Sequence, residues 1–131
     1  MTELLHREIT DKILGCFYKA GNKMGHGFLE SVYQNVMFHE LRKAGLEVRS
    51  KVRLPVKYDG IIVGDFEADL IVENCVILEI KAGRAIDPSA IVQLVNYLRA
   101  SEIEVGLVLN FGQKLEFKRQ VFENTRKIGS A

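Results

Sequence analysis

The sequence predicts a mixed-sheet α/β domain. Three observations carry that expectation. The hydrophobic period is helical up to about residue 44, becomes two from Leu46, and returns to helical spacing after Asp87. The resulting order is helix, helix, three strands, helix, two strands. The chain has 131 residues, with no internal repeat, low-complexity tract or linker, so it reads as one domain over 1–131.

The first helix is expected from Thr2 to about Ala20, because Leu5, Ile9, Ile13 and Phe17 recur at helical spacing. "GNKMGHG" (21–27) reads as a Gly-rich break. "FLESVYQNVMFHELRKAG" reads as a second helix, with Phe28, Val32, Val36 and Leu41 near one face and Gly45 closing it. "EVRSKVRLPVKY" alternates as a strand in which Pro55 implies an edge or a bulge, and "YDG" follows as a turn. "IIVGDFEADLIV" and "CVILEIKA" read as further strands. "IDPSAIVQLVNYLRAS" reads as a helix with Asp87 as N-cap and Pro88 in its first position. "EVGLVLNF" is a buried strand, "GQ" a tight turn, and "KLEFKRQVF" a last strand.

The stretch "DLIVENCVILEIKAG" (69–83) places Asp69, Glu79 and Lys81 in two otherwise apolar strands. The turn between them falls near "ENC", and its length decides which side chains share a face. A two-residue loop mixes charge and hydrophobe on both faces. A three-residue loop centred on Asn74 puts Ala68, Leu70, Val72, Val76, Leu78 and Ile80 on one apolar face. The other face then carries Asp69, Ile71, Ile77, Glu79 and Lys81. A slip exposes several apolar side chains at about 1.5–3 kcal/mol each. Asn74 also tolerates the left-handed backbone such a loop needs. Packing alone therefore sets Asp69 across from Glu79, with Cβ atoms about 5 Å apart. Lys81 stands about 6.6 Å further along the strand on the same face. Two like charges so placed need an offset. Either Lys81 neutralises one in a half-exposed surface cluster, or a hard divalent cation sits between them, with the lysine beside it to act on a water or on developing charge.

Composition limits the alternatives. Hydrophobic residues make up 47% and charged residues 27%, an ordinary balance for a soluble globular chain. No apolar run approaches the roughly 18 residues that span a bilayer. "MTELLHREIT" has no apolar core of the kind a secretory signal carries, so the protein is expected in the cytoplasm, with no membrane partner. Cys16 and Cys75 are then expected to be reduced and to pack as small hydrophobes. A net charge of +1 neither demands nor excludes nucleic acid, although a dedicated non-enzymatic DNA binder is usually more basic. Any polyanion would be held by local patches: Arg49, Lys51 and Arg53 in "RSKVR", and Lys118 and Arg119 in "KLEFKRQ".

Asp69, about ten residues, then Glu79-Ile80-Lys81 resembles the signature of the PD-(D/E)XK nuclease superfamily. "QLVNY" (93–97) matches the Q-x-x-x-Y element of its exonuclease-like members, and "GFLESVY" (27–33) matches G-x-x-E-x-x-Y literally. With "ADLIVEN", "ILEIKA" and "GLVLNFG", the chain is identified as resembling the GxxExxY proteins assigned to that superfamily. The resemblance implies a restriction-endonuclease-like αβββαβ core. It implies Asp69, Glu79 and the Ile80 carbonyl as metal ligands, with Glu30 approaching from the preceding helix. Mg²⁺ is the implied ion, with Mn²⁺ as an alternative. Lys81 would be the catalytic lysine, Gln93 would line the site, and Tyr33 and Tyr97 would support it. Glu30 and Tyr33, like Gln93 and Tyr97, have spacings that put them on one helical face. The expected function is hydrolysis of DNA or RNA phosphodiesters; the alternative is a non-catalytic nucleic-acid or protein-interaction module on the same fold. A homodimer or partner protein would lengthen the basic track.

Overall fold

The computed structural model describes residues 4–127. Helices α1 (Arg7–Met24) and α2 (Glu30–Lys43) precede strands β1 (Val48–Tyr58), β2 (Ile61–Val72) and β3 (Val76–Lys81). Helix α3 (Pro88–Arg99) then leads to β4 (Val105–Phe111) and β5 (Leu115–Val121). The five strands lie in chain order, with β3 and β4 parallel and the other neighbours antiparallel. The expected mixed-sheet α/β architecture is observed. The α3 crossover is what allows two consecutive strands to run parallel.

The helices cover opposite faces. Ile13, Phe17, Met37 and Leu41 of α1 and α2 pack on Leu70, Val72, Val76, Leu78 and Ile80. Ala90, Leu94 and Leu98 of α3 pack on Leu54, Ala68, Ile71, Ile77 and Val108. Cys16 and Cys75 are free thiols packed partly against the first of these layers. Among the described residues no helix is long and apolar enough to cross a membrane.

The turn between β2 and β3 has the expected three residues. Val72, Ile71 and Leu70 pair with Val76, Ile77 and Leu78, and the Cys75 N–H donates to the Val72 carbonyl at 3.0 Å. Both Glu73 (φ 52°) and Asn74 (φ 54°) are left-handed. Asp87 caps α3 as expected, its Oδ1 accepting from the Ser89 N–H at 2.9 Å. Pro55 lies on the edge strand β1, beside a register shift at Val56/Lys57. Asp59 (φ 51°) and Gly60 (φ 76°) make the left-handed two-residue turn that suits a twisted hairpin.

Three expectations are corrected. The first helix does not stop at Ala20; it continues through Gly21 to Met24, and the break is Gly25–Leu29. Gly21 is there for space: a Cβ would lie 2.5 Å from a Leu115 methyl, so the Leu115 side chain sits directly on the helix backbone. The expected residue 2 end of that helix lies outside the described residues. On α2 the buried stripe is Tyr33, Met37 and Leu41, while Phe28 lies before the helix and is exposed.

Ala68, finally, does not share the Leu70 face. It packs on the α3 side with Ile71 and Ile77, and across from it Val52 and Leu54 lie on that side although Val48 lies on the other. Simple alternation would keep these even-numbered positions together. Both strands change sides between the pairs Ser50–Leu70 and Val52–Ala68, where Lys51 takes φ 52°. The switch occurs at Asp69.

Candidate active site

At Asp69 the β2–β3 ladder stops. The last backbone pair is Leu70 with Leu78, and beyond it the carboxylates take over the hydrogen bonding. The Asp69 N–H donates to Glu79 Oε1 at 3.2 Å, and the Ile80 N–H donates to Asp69 Oδ2 at 2.7 Å. Each carboxylate thus satisfies a strand N–H of the opposite strand, a polar need that any fork in a sheet creates. One oxygen of each acid is occupied in this way.

The electrostatics of the pair are unfavourable. Glu79 is 2% exposed. Burial, joined by the charge of Asp69, pushes its carboxyl up to about 8, against the pull of the Asp69 N–H and Lys81. Burial also raises Asp69, opposed by the Ile80 N–H and Lys81 and assisted by Glu30 and Glu67. Without a cation the pair therefore retains a proton near neutral pH.

Lys81 ends β3, half-buried. Its Nζ donates to Gln93 Oε1 at 3.1 Å, and Gln93 Nε2 donates to the Tyr97 hydroxyl at 2.9 Å. A lysine can only donate, so it fixes the amide with oxygen towards β3. The amide nitrogen then needs an acceptor, which Tyr97 supplies. The Tyr97 ring leans on Phe66, with centroids 5.2 Å apart. Burial, and then Glu79 and Asp69, push its hydroxyl up to about 12, so it stays protonated. The relay comes from helical geometry: Gln93 and Tyr97 are one turn apart beside the buried Leu94–Leu98 stripe.

Tyr33 is fully buried. Its hydroxyl donates to the Gly25 carbonyl at 2.6 Å and accepts from the Phe28 N–H at 3.3 Å. It thereby holds the loop that delivers Glu30, the first residue of α2. Glu30 is exposed, and its charge reaches both carboxylates. The structure does not bring it into a shared ligand set: among the described residues, no three His, Cys, Asp or Glu side chains converge on one metal position. The donors Asp69, Glu79 and the Ile80 carbonyl still fit a hard divalent ion. They are all oxygen, they set a buried carboxylate against a partly buried one so that a cation would relieve the like charges, and Mg²⁺ commonly takes one or two carboxylates with water and phosphate completing its shell.

The basic residues are divided. β1 and β5 are the two edges of the sheet, so Arg49, Lys51 and Arg53 lie at one side and Lys118 and Arg119 at the other. Arg49 donates to Asn74 Oδ1 at 2.8 Å, at the end of β3 opposite Lys81. Arg53 is paired with Asp65, its Nε 3.0 Å from Oδ2. Lys51 is exposed and falls opposite Asp69 between two ladder pairs. Lys118 is exposed across from Val108, on the α3 side. Arg119 is across from Leu107, on the helix α1 side, and donates to the Leu5 carbonyl at 2.6 Å. Of the five, Lys51 has its backbone across from Asp69, and Arg49, Arg53 and Arg119 are engaged elsewhere. Sequence reasoning passed over Glu67, whose charge reaches both Asp69 and Tyr97. Its position two residues before Asp69 on the same strand was the available signal.

A sequence profile of the PD-(D/E)XK nuclease superfamily matches residues 7–121. No curated protein matches. Among solved structures, one described as "Crystal structure of SSO0001" superposes with a TM-score of 0.51 at 13% identity. The match covers 72% of this chain and 50% of that one, so this chain spans about half the length of the structure it resembles. At that identity the likeness concerns the fold.

Proposed function

Because the chain belongs to the PD-(D/E)XK nuclease superfamily, we propose that it hydrolyses nucleic-acid phosphodiester bonds with a divalent cation at the Asp69–Glu79–Lys81 fork. Nucleases of this superfamily typically use divalent metals. The literal G-x-x-E-x-x-Y match at Gly27, Glu30 and Tyr33 supports, on this reading, membership of the GxxExxY group. The Tyr33 hydroxyl, which locks the glycine loop ahead of Glu30, gives that motif a physical use.

One observation supports the reading above all. A buried carboxylate, Glu79, and a partly buried one, Asp69, are held face to face by strand N–H groups, while a half-buried lysine is held beside them by a glutamine. A purely structural role is a poor account of this arrangement, since burying like charges destabilises the sheet. Asp69, Glu79 and the Ile80 carbonyl would hold Mg²⁺ or Mn²⁺. When bound, the ion supplies Lewis-acid stabilisation and lowers the pKa of a coordinated water. Lys81 Nζ, oriented by Gln93 Oε1, would hydrogen-bond the attacking water and steady the charge that builds on the phosphate as the phosphorus–oxygen ester bond breaks. Gln93 and Tyr97 keep that ammonium aimed, and Glu30 and Glu67 add negative potential that favours the cation. Lys51, exposed and with its backbone across from Asp69, would be the named basic residue to draw a neighbouring phosphate.

A non-catalytic nucleic-acid or protein-interaction module is the second reading. It is favoured by the division of the basic residues between two sheet edges and by the Arg53–Asp65 pair, which leave no continuous basic track among them. Calorimetric titration with Mn²⁺ separates the two. Saturable binding that Asp69→Asn abolishes supports the metal site; heat that is unchanged by Asp69→Asn removes it.

A further inference from the structure

The segment "NFG" at the end of β4 has no part in the site as described so far, yet its side chains reach both sides of it. Asn110 is fully buried and is one of few polar residues in the core. It pairs in register with Lys81 across the parallel β3–β4 junction. Its Oδ1 accepts from the Gly83 N–H at 3.0 Å, and its Nδ2 donates to the Gly83 carbonyl at 2.9 Å. Both halves of the amide are spent on the backbone of one residue, two positions beyond Lys81. Gly112 leaves room for this clamp, since a Cβ there would stand 2.4 Å from the Gly83 carbonyl oxygen. On the other face of the strand, Phe111 stacks on Tyr33, with centroids 4.5 Å apart and planes 11° apart. Tyr33 in turn holds the loop in front of Glu30.

Chain leaving a parallel strand has no ladder partner of its own to follow, so its direction must be set by something else. Here the Gly83 peptides are bound into the end of β4. That fixes where the connection departs and so where α3 begins, four residues on at Asp87. α3 carries Gln93, whose Oε1 receives Lys81 Nζ. A side chain placed only to fill the core would not need two directional bonds to one backbone residue. An unsatisfied amide at this depth would cost more than an apolar residue of the same size.

We propose that Asn110 is a positioning residue for Lys81: by clamping Gly83 it sets the connection between β3 and α3 so that Lys81 and Gln93 meet. The proposal rests on the nuclease reading for the consequence of that meeting, but the meeting itself can be measured without activity. The reporter is the side-chain amide of Gln93, followed by ¹H–¹⁵N NMR in wild type, Asn110→Ala and Gly112→Ala. The second variant pushes on the same carbonyl, and on Asn110 Nδ2 at 3.0 Å, while keeping the asparagine itself. Melting temperature confirms that each is folded. Expected are loss of protection of the Gly83 N–H together with displaced, faster-exchanging Gln93 side-chain amide signals in both variants. In the Mn²⁺-dependent cleavage assay, kcat is expected to fall at least tenfold, with KM and Mn²⁺ affinity within about twofold of wild type. Unmoved Gln93 amide signals in folded variants that have lost Gly83 protection overturn the proposal, leaving Asn110 as a staple of the loop. If wild type cleaves nothing, the nuclease reading fails and the Gln93 signals still decide the positioning claim.

Discussion

Replacing Glu79 by glutamine removes the charge on which the proposed metal site depends while keeping the side chain's size and its acceptor for the Asp69 N–H. In the metal-free protein the carboxyl stands near 8 because it is buried against Asp69, whereas its ordinary value is 4.5. A carboxyl raised by folding is held protonated more tightly in the native state than in the unfolded chain. Between pH 4.5 and 8 the native state therefore binds the extra proton, and stability falls as pH rises. The favourable contribution is complete below about 4.5 and gone above about 8. From 4.5 to 7 the interval is 2.5 pH units, which at 1.36 kcal/mol per unit is on the order of 3 kcal/mol. In a domain of this size that is a fall in melting temperature on the order of 10 °C. Asp69, also raised, adds in the same direction. Thermal melts in chelator at pH 5, 6, 7 and 8 read this directly. Wild type should lose stability across the series, and Glu79→Gln should lose much less and overtake it at pH 8. Adding Mg²⁺ at pH 8 should raise the melting temperature of wild type and leave the variant unmoved. Parallel pH curves for the two proteins would refute the reasoning.

Tyr97→Phe keeps the ring on Phe66 but takes the acceptor from Gln93 Nε2; it should cost about 1 kcal/mol in denaturant unfolding, and an unchanged midpoint would mean the relay is not held. Gly21→Ala is diagnostic in sign. A glycine-to-alanine change inside a helix ordinarily gains roughly 1 kcal/mol, but here the new Cβ meets Leu115 at 2.5 Å, so a net loss of about 1–3 kcal/mol is expected, relieved by adding Leu115→Val.

What the sequence revealed follows the range over which each physical rule acts. The turn centred on Asn74 was legible because only one register segregates Leu70, Val72, Val76, Leu78 and Ile80 from Asp69 and Glu79, and the burial at stake is large. The Asp87 cap and the Asp59-Gly60 turn were legible because each depends on a few adjacent residues. The side change at Lys51 and Asp69 was not, since alternation assumes an unbroken strand and Lys51 is not a residue that marks a left-handed backbone. Hence alternation alone puts Ala68 on the Leu70 face, whereas it lies on the α3 side. Gly21 looked like punctuation because its reason for being small, Leu115, is far away in sequence. That the patches "RSKVR" and "KLEFKRQ" end up on opposite edges of the sheet is not marked in either segment, because strand order depends on pairing between distant parts of the chain. The clamp from Asn110 to Gly83 joins positions 27 apart and leaves no local pattern.

The central claim is that the fork between β2 and β3 is a catalytic metal site, and cleavage by wild type against Lys81→Ala tests it most directly. Single- and double-stranded DNA and RNA should be incubated with Mn²⁺ and identically purified proteins. Wild type is expected to cleave at least one substrate in a chelator-sensitive way, and Lys81→Ala to fall by about 10²-fold or more while still binding Mn²⁺. Equal cleavage by both proteins, or none by wild type on any of the four, would contradict it.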